Sequence, residues 1–300
     1  MTQRLSPAAI VLLIIPPLMW SGNAVVGRMV SPLVSPMTLN LLRWSLACLL
    51  LLPLASSVLR RDSPLWPQWR RFATLSLFSI GGYNALLYLA LNTSTAINVT
   101  LVGASTPVWM LLIGALFFRT PITMRQWVGA VLSISGVLLV LCRGRWDALL
   151  HLHLVVGDVY VLLASIGWAL YSWMLAHPTP ESASLRVNWA AFLLGQVVFG
   201  LAWSLLFTGA EWTLTPAHID WGWPLAAALA FIAVGPAVIA YASWGAGVAR
   251  AGPAMAGFFI NLTPLFTALL SSAFLGETPQ AFHALAFLLI VSGIVLSSRR

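Results

Sequence analysis

The chain has 300 residues, of which 60% are hydrophobic and 7% charged, and its formal net charge is +8. Soluble domains carry roughly 25% charged residues, so this composition excludes a soluble globular protein. All 15 basic residues are arginines, and most lie between apolar runs. They are therefore typical of topology signals rather than of a nucleic-acid-binding surface, and they predict an all-α integral membrane protein in contact with the lipid bilayer.

The predicted elements, in chain order, are ten apolar runs of about the 20 residues that a membrane span needs. They lie at 8–27, 37–57, 72–91, 95–118, 124–142, 154–175, 187–208, 223–247, 252–274 and 280–297. With the N-terminus inside, eleven arginines fall on the cytoplasmic side and three outside. This bias predicts a multi-pass protein of the bacterial inner membrane with both termini in the cytoplasm.

The fourth and ninth runs repeat one another. The stretch "NVTLVGASTPVWMLLIGALFF" (98–118) aligns with "MAGFFINLTPLFTALLSSAFL" (255–275) at an offset of 157 residues, which pairs Thr106-Pro107 with Thr263-Pro264. We therefore predict two five-helix units, 1–148 and 149–300. Because five is odd, the second unit enters the membrane inverted. Inverted repeats are typical of transporters whose site lies between the halves, near the bilayer midplane.

Catalytic and metal-binding patterns are missing from the sequence, which has no HExxH, GxSxG or phosphate-loop motif. Cys48 and Cys142 lack metal-ligand or redox spacing, and His151 and His153 are typical of a solvated loop. The sequence therefore predicts neither an enzyme nor a metal site, and no cofactor.

Several stretches carry a family resemblance. They are "LMWSGNAVVGRMV" and "LNLLRWSLACLLLL" in the first two runs, and "LTPLFTALLSSAFLGETP" and "IVSGIVL" in the second half. The chain resembles the drug/metabolite transporter superfamily, in its EamA-type branch. Gly276-Glu277 matches the family pattern, whereas Arg119-Thr120 departs from it in the first half. The resemblance implies a ten-helix bundle around a central cavity, lined by the first, third and fourth helices of each half. The "YNALLYLALNTSTAINVTL" region is similar to aromatic amino acid exporters of that branch.

Uncharged polar and aromatic side chains are the candidates for lining the substrate cavity, because an aromatic ring with a polar tip suits a zwitterion with an apolar side chain. Each of them could instead pack between helices, and the asparagines could bridge helices. The candidates are Trp20, Asn23, Tyr83, Asn84, Tyr88, Asn98, Ser165, Trp168, Tyr241, Trp244 and Asn261.

Helix-breaking residues in the spans are the candidate hinges, because a proline inside a helix frees a carbonyl and kinks the helix. Thr106 and Thr263 could bond the carbonyls that the neighbouring prolines free. The candidate hinges are Pro107, Pro264, Gly81, Gly82, Gly235 and Pro236.

Ionisable groups within the spans are few, and no carboxylate lies near a predicted midplane. This favours flux without obligatory proton coupling. Arg43 lies about two turns from the outer end of its run, and it could either snorkel outward or face the bundle and pair with an acid.

The function predicted is export of amino acids by alternating access, with aromatic and other apolar ones preferred and Thr and Met as further substrates. The alternative is an exporter of quaternary cations such as viologens, or of another small metabolite, because aromatic rings also bind cations through their faces. A non-transporting receptor or membrane enzyme is disfavoured. Because one chain supplies both halves, we expect a monomer whose partners are its small-molecule substrate and lipid.

Overall fold

The computed structural model describes residues 5–94, 96–145, 155–275 and 280–298, without the side chains of 88, 91, 92, 96–98, 101, 181–183, 271, 274 and 275. Every regular element among them is helical, apart from one isolated bridge between Val34 and Ile219. The helices are α1 (Pro7–Val30), α2 (Pro36–Ala55), α3 (Trp69–Ser76), α4 (Gly82–Thr93), α5 (Ala96–Gly103), α6 (Thr106–Phe118), α7 (Met124–Leu141), α8 (Val156–Ala176), α9 (Pro180–Arg186), α10 (Trp189–Leu214), α11 (Trp223–Ile232), α12 (Ala240–Ala251), α13 (Pro253–Ile260), α14 (Thr263–Leu275) and α15 (Ala281–Ser298).

Eight helical segments in the described part of the chain are long and apolar enough to cross a membrane. They cover eight of the ten predicted runs, and the shorter apolar helix α6 covers part of a ninth. The remaining run, 72–91, is helical from α3 through a π-helical turn at Leu77–Gly81 into α4. The structure is thus that of a multi-pass helical membrane protein, while the count of ten spans and the inverted relation of the halves stay predictions.

The fourth and ninth runs are each broken into two helices. The break at 104–105 separates α5 from α6, and the break at 261–262 separates α13 from α14. Both bounds of α14 lie 157 residues after those of α6, and the same offset relates α15 to α7. The repeat offset seen in the sequence is therefore also the spacing of the helices.

The two prolines do not kink a continuous helix. Pro107 and Pro264 are each the second residue of a new helix, α6 and α14. A proline at this position costs little, because the first backbone N–H groups of a helix have no partner within it. The expectation of a proline inside a spanning helix was wrong in this respect.

Helices α7 and α15, the last helices of the two predicted five-helix units, pack backbone to backbone through small residues. A side-chain carbon added at Gly129 would lie 2.7 Å from the carbonyl oxygen of Gly293 and 2.0 Å from Ser297 Oγ. One added at Gly136 would lie 2.8 Å from the carbonyl oxygen of Ala286. We call this contact the α7–α15 seam, and it leaves no room for larger side chains.

Candidate functional site

Seven aromatic side chains meet where α1, α2, α4, α8 and α12 converge. Trp168 on α8 is the central ring, with its centroid 5.1 Å from Trp20, 5.3 Å from Tyr83 and 5.5 Å from Trp244. Edge-to-face and tilted pairs at such distances are favourable ring contacts. We call this group the ring cluster, and its members are Trp20, Trp44, Tyr83, Trp168, Tyr171, Tyr241 and Trp244.

The ring cluster contains five of the predicted cavity residues, namely Trp20, Tyr83, Trp168, Tyr241 and Trp244. The structure brings these five together, but the rings pack on each other instead of surrounding an open space. Only 4% of Trp168 and none of Trp244 is exposed. Large rings fill the junction because the edges and faces of neighbouring aromatic rings attract one another.

The polar atoms of the ring cluster are partly paired. The Trp20 indole donates to the Pro236 carbonyl (3.3 Å), and the Tyr241 hydroxyl donates to the Ser79 carbonyl (3.2 Å). The Trp244 indole donates to Ser172 Oγ at 3.2 Å. By contrast, the indole nitrogens of Trp168 and Trp44 are buried and have no hydrogen-bond partner among the described residues.

Two ring-cluster members, Trp44 and Tyr171, are absent from the predicted site. Trp44 is fully buried and packs 4.9 Å from Tyr241, so it forms a contact between α2 and α12. Tyr171 lies 5.1 Å from Trp168. Trp168 and Tyr171 are spaced so that they share one face of α8, and this spacing could have indicated Tyr171 from the sequence. The face of α2 that turns inward, by contrast, is set by packing against the neighbouring helices.

A cavity of about 830 Å³ borders the ring cluster. It lies between α4, the middle of α8, the end of α10 and the start of α2, and its wall is mostly leucine, alanine and phenylalanine. Among the predicted cavity residues whose side chains are described, only Tyr83 lines it, together with the hinge candidate Gly82. Since Tyr83 also packs on Trp168, the cavity ends against the ring cluster.

The polar part of the cavity wall lies at its mouth, where Ser35, Glu211 and Thr215 line it. The Glu211 carboxylate accepts hydrogen bonds from the backbone N–H of Met37 (2.8 Å) and Thr38 (2.9 Å) and from the Thr38 hydroxyl (2.7 Å). A carboxylate is stabilised at a helix N-terminus, so Glu211 on α10 caps α2. The sequence reading overlooked Glu211, because it follows the predicted end of its span.

Three further polar candidates do not line the cavity, namely Ser165, Asn23 and Asn84. Ser165 is buried on α8, and Asn23 is half-buried on α1. The Asn84 side chain donates to the Ile80 carbonyl of its own helix (2.8 Å). The side chains of Tyr88 and Asn98 lie outside the described part of the chain.

Asn261 bridges the two helix breaks. From the break between α13 and α14, its side chain donates to Ser133 Oγ (2.9 Å) and to the carbonyl of Ala104 (3.4 Å), which lies in the break between α5 and α6. The structure thus favours the bridging alternative for this asparagine. Helix α13 also packs closely on the start of α6, because a side-chain carbon added at Gly257 would lie 3.4 Å from Pro107 Cα.

Thr106 and Thr263 behave differently beside their prolines. The Thr106 hydroxyl donates to the Gly103 carbonyl (2.6 Å), the carbonyl that Pro107 leaves without its helical partner. This matches the expectation. The Thr263 hydroxyl is buried with no partner among the described residues, so the expectation is not met there.

The glycine hinge candidates and Pro236 lie at two π-helical turns, Leu77–Gly81 and Ala233–Ile239. Gly82 is required by the first turn, since an added side-chain carbon would lie 2.6 Å from the Leu77 carbonyl oxygen. A side-chain carbon added at Gly81 would lie 2.5 Å from Trp203 Cβ. Gly235 and Pro236 belong to the second turn. Such turns are frequent at functional sites in helices.

Arg43 is buried beside the ring cluster. Only 6% of the residue is exposed, and its guanidinium carbon lies 5.3 Å from the centre of the Trp44 ring. Its Nε has no hydrogen-bond partner, and in the described part of the chain the guanidinium makes no ion pair either. Arg43 therefore faces the bundle without snorkelling outward, and the acid that it was expected to pair with is not found in the described ranges.

Two arginines bind the carbonyl groups at the C-terminal end of α8. Arg71 donates to the carbonyls of Met174 (2.7 Å) and His177 (2.9 Å), and Arg186 donates to that of Leu175. Burial lowers the pKa of both guanidinium groups, and the charge of Arg186 lowers that of Arg71 further. Cations at a helix C-terminus satisfy its last carbonyls, so these arginines tie α3 and the end of α9 to α8.

Metal binding finds no support in the described residues, which contain no group of three His, Cys, Asp or Glu side chains that could hold an ion. His151 and His153 lie outside them.

Comparison with known proteins agrees with the class that the helices and the cavity define, a multi-pass membrane protein with a solute-sized chamber. The sequence model of the EamA-like transporter family matches residues 7–142 and again 155–299. The chain belongs to the EamA-like transporter family, within the drug/metabolite transporter superfamily.

Relatives share low identity with the chain over most of its length. It is 25% identical to the transporter YyaM of Bacillus subtilis (strain 168), over 76% of this chain and 72% of the relative. It is 24% identical to a transporter of Archaeoglobus fulgidus, over 94% of both chains. It is 25% identical to a probable terminal-alkyne amino-acid exporter of Streptantibioticus cattleyicolor, over 68% of this chain and 64% of the relative.

The fold is also shared with a solved crystal structure, at a TM-score of 0.75 and 21% identity. The match covers 96% of this chain and 95% of the other, so it supports the overall fold.

Proposed function

We propose that this transporter exports amino acids with aromatic or other apolar side chains from the bacterial cytoplasm, with Thr and Met as further substrates. The observation that carries the proposal is the cavity of about 830 Å³ that ends against the ring cluster. Its mostly apolar wall suits an apolar side chain, and polar groups line it at the mouth and, through Tyr83, at the ring cluster. A name among the relatives, that of the amino-acid exporter, points to the same substrate class.

The proposed mechanism is alternating access between two inverted five-helix halves, 1–148 and 149–300. The α7–α15 seam acts as the fixed support, while the ring cluster closes the path from the cavity to the other side. Parting of the rings requires bending at the helix breaks beside Pro107 and Pro264 and at the two π-helical turns, the first ending at Gly81 next to Gly82 and the second containing Gly235 and Pro236. A single chain supplies both halves, so a monomer suffices.

A pair of substitutions tests the hinge assignment. Pro107→Ala extends the helical hydrogen bonding of α6 backwards and stiffens the break, so we expect slower transport at a normal folded yield. Pro121→Ala, in the loop between α6 and α7, is the control. Equal transport rates in both variants and the wild type would remove Pro107 from the hinges.

The direct test of substrate class uses the purified full-length chain in liposomes that are loaded in turn with labelled phenylalanine, threonine or methyl viologen. We expect saturable release of phenylalanine and weaker release of threonine. No release of either amino acid would overturn the proposal. Release should continue when a pH gradient is collapsed, because we propose flux without obligatory proton coupling, and its arrest would contradict that part.

Methyl viologen represents a second candidate substrate class, the organic cations. The Glu211 carboxylate at the cavity mouth favours it, since a cation is attracted both to a carboxylate at the entrance and to the aromatic faces at the other end. Release of methyl viologen without release of phenylalanine would establish this alternative.

A further inference from the structure

Arg43 is the one buried charge beside the ring cluster, in the described part of the chain, for which the fold supplies no counter-charge. Its guanidinium contacts the Trp44 ring, and Trp44 packs on Tyr241. Four carboxylates have described side chains, and none pairs with Arg43. Glu211 is bonded to the start of α2, and Asp158 is bonded to Ser94 and to the backbone N–H of Val155. The other two are Asp62 and Asp220.

An unpaired buried cation is costly in a membrane-spanning helix, and ionisable groups there are usually paired or functional. The cost falls when an anion binds. A carboxylate matches the planar, two-pronged donor set of a guanidinium better than it matches an ammonium. Arg43 lies in the span Pro36–Leu59 and is only 6% exposed, so an anion that reaches it has to enter the bundle.

Further unpaired donors lie in the ring cluster that Arg43 borders. The indole N–H groups of Trp44, in contact with Arg43, and of Trp168, across Tyr241, are buried and have no partner in the described ranges. Buried donors normally find an acceptor, so two orphaned indoles in a cluster that an orphaned guanidinium borders indicate a place for an acceptor-rich ligand. A carboxylate has acceptor positions for several such donors and no donor of its own.

The cavity and Arg43 lie at opposite sides of the rings. Tyr83 lines the cavity and packs on Trp168, Trp168 packs on Tyr241, and Tyr241 packs on Trp44. A solute that moves from the cavity into the ring cluster therefore approaches Arg43. An aromatic or apolar side chain would replace the ring contacts that are lost when the cluster parts.

We propose that Arg43 binds the carboxylate of the transported solute while the ring cluster is parted, and so selects amino acids over amines. This inference rests on the proposed function, since it names the contact that recognises the amino acid. It assigns a binding role to Arg43 that its position near the end of a helix did not indicate.

The test measures binding of labelled phenylacetate, a carboxylate with an aromatic ring and no amine, to the purified full-length chain. Phenethylamine, which has the amine and no carboxylate, is the comparison probe. We expect wild-type protein to bind phenylacetate more tightly than phenethylamine. Arg43→Gln should weaken phenylacetate binding at least about tenfold, as expected for loss of a charged two-bond contact. The affinity of Arg43→Lys for phenylacetate should lie between those of the wild type and Arg43→Gln, because lysine keeps the charge but loses the planar pair of donors.

Arg70→Gln is the matched control. Arg70 lies 5.5 Å over the ring of its neighbour Trp69, almost the geometry of Arg43 and Trp44, but both residues are exposed. It should bind phenylacetate as the wild type does. Unchanged phenylacetate binding by folded Arg43→Gln or Arg43→Lys would overturn the inference.

The wild-type comparison needs no variant to fold, and phenethylamine binding as tight as that of phenylacetate would also overturn the inference. The outcomes separate the two proposals. If wild-type protein releases no amino acid from liposomes yet binds phenylacetate through Arg43, the proposed function fails and the carboxylate site stands. If phenylalanine is released equally by wild type and Arg43→Gln, the carboxylate site alone fails.

Discussion

The α7–α15 seam and the ring cluster are both buried helix contacts, but they are built in opposite ways. At the seam, Gly129 and Gly293 bring two backbones together without space for a side chain. In the ring cluster, large rings keep the helices apart, and the indoles of Trp44 and Trp168 are left without partners in the described part of the chain. The contrast indicates that the seam is a fixed support, whereas the ring cluster is the part that can open to a polar solute.

The seam should be broken most severely by a larger side chain. Gly129→Leu places atoms where the Gly293 carbonyl and Ser297 now lie, and overpacking of this kind costs about 1–3 kcal/mol or more. We expect most of the folded protein to be lost, measured as monodisperse protein after detergent extraction. Gly209→Leu is the control, because a side-chain carbon at Gly209 meets nothing within 4 Å. Equal yields for the two variants would contradict the fixed-support account.

A substitution at the cavity mouth should lower the stability of the fold more moderately. Glu211→Gln replaces charged hydrogen bonds to the start of α2 by neutral ones, and loss of a charge at a helix N-terminus costs up to about 2 kcal/mol in buried settings. We expect a lower melting temperature in detergent. The control, Asp62→Asn, changes an exposed carboxylate and should leave the melting temperature unchanged. A Glu211→Gln protein as stable as wild type would show that the carboxylate does not hold α2.

Within the ring cluster, replacement of two tryptophans should cost different amounts of stability. Both Trp244→Phe and Trp168→Phe leave a smaller ring in a buried site, which destabilises the fold. Trp244→Phe also breaks a hydrogen bond, so it should cost about 0.5–1.5 kcal/mol more than Trp168→Phe, whose indole is unpaired in the described part of the chain. Trp168→Phe should slow transport. Thermal unfolding and phenylalanine release, measured on both variants, check this, and an equal loss of stability in the two variants would contradict the difference in indole pairing.

The smallest loss of stability is expected for a substitution at the C-terminal end of α8. Arg71→Gln should cost roughly 0.5–1 kcal/mol, because the carbonyls of Met174 and His177 lie near water that can replace the donor. Arg61→Gln, an exposed arginine before α3, serves as the reference. Equal melting temperatures for Arg71→Gln and Arg61→Gln would show that the hydrogen bonds of Arg71 do not stabilise the end of α8.

Much of the fold could be predicted from the sequence, because apolar length and the Thr-Pro pair are local signals. The offset of 157 residues, found from those pairs, also spaces α6 from α14 and α7 from α15. The helix breaks were harder to predict, because a proline is equally compatible with a kinked helix and with the start of a new one.

The candidate site was less predictable, because it depends on which helix faces meet. Residue type selected five of the ring-cluster members, but the inward face of α2, with Arg43 and Trp44, is determined by tertiary packing. Glu211 was missed because its partner, the start of α2, lies more than 170 residues away in the sequence. Such a contact leaves no local pattern.

The central claim is that the cavity and the ring cluster together carry an amino acid across the membrane. Counterflow tests it most directly: liposomes that contain the purified chain are loaded with unlabelled phenylalanine, and entry of labelled phenylalanine is followed. The account predicts transient accumulation above that of liposomes without protein, competed by tryptophan and methionine and slowed by Trp168→Phe. Absence of accumulation by folded wild-type protein would contradict the account.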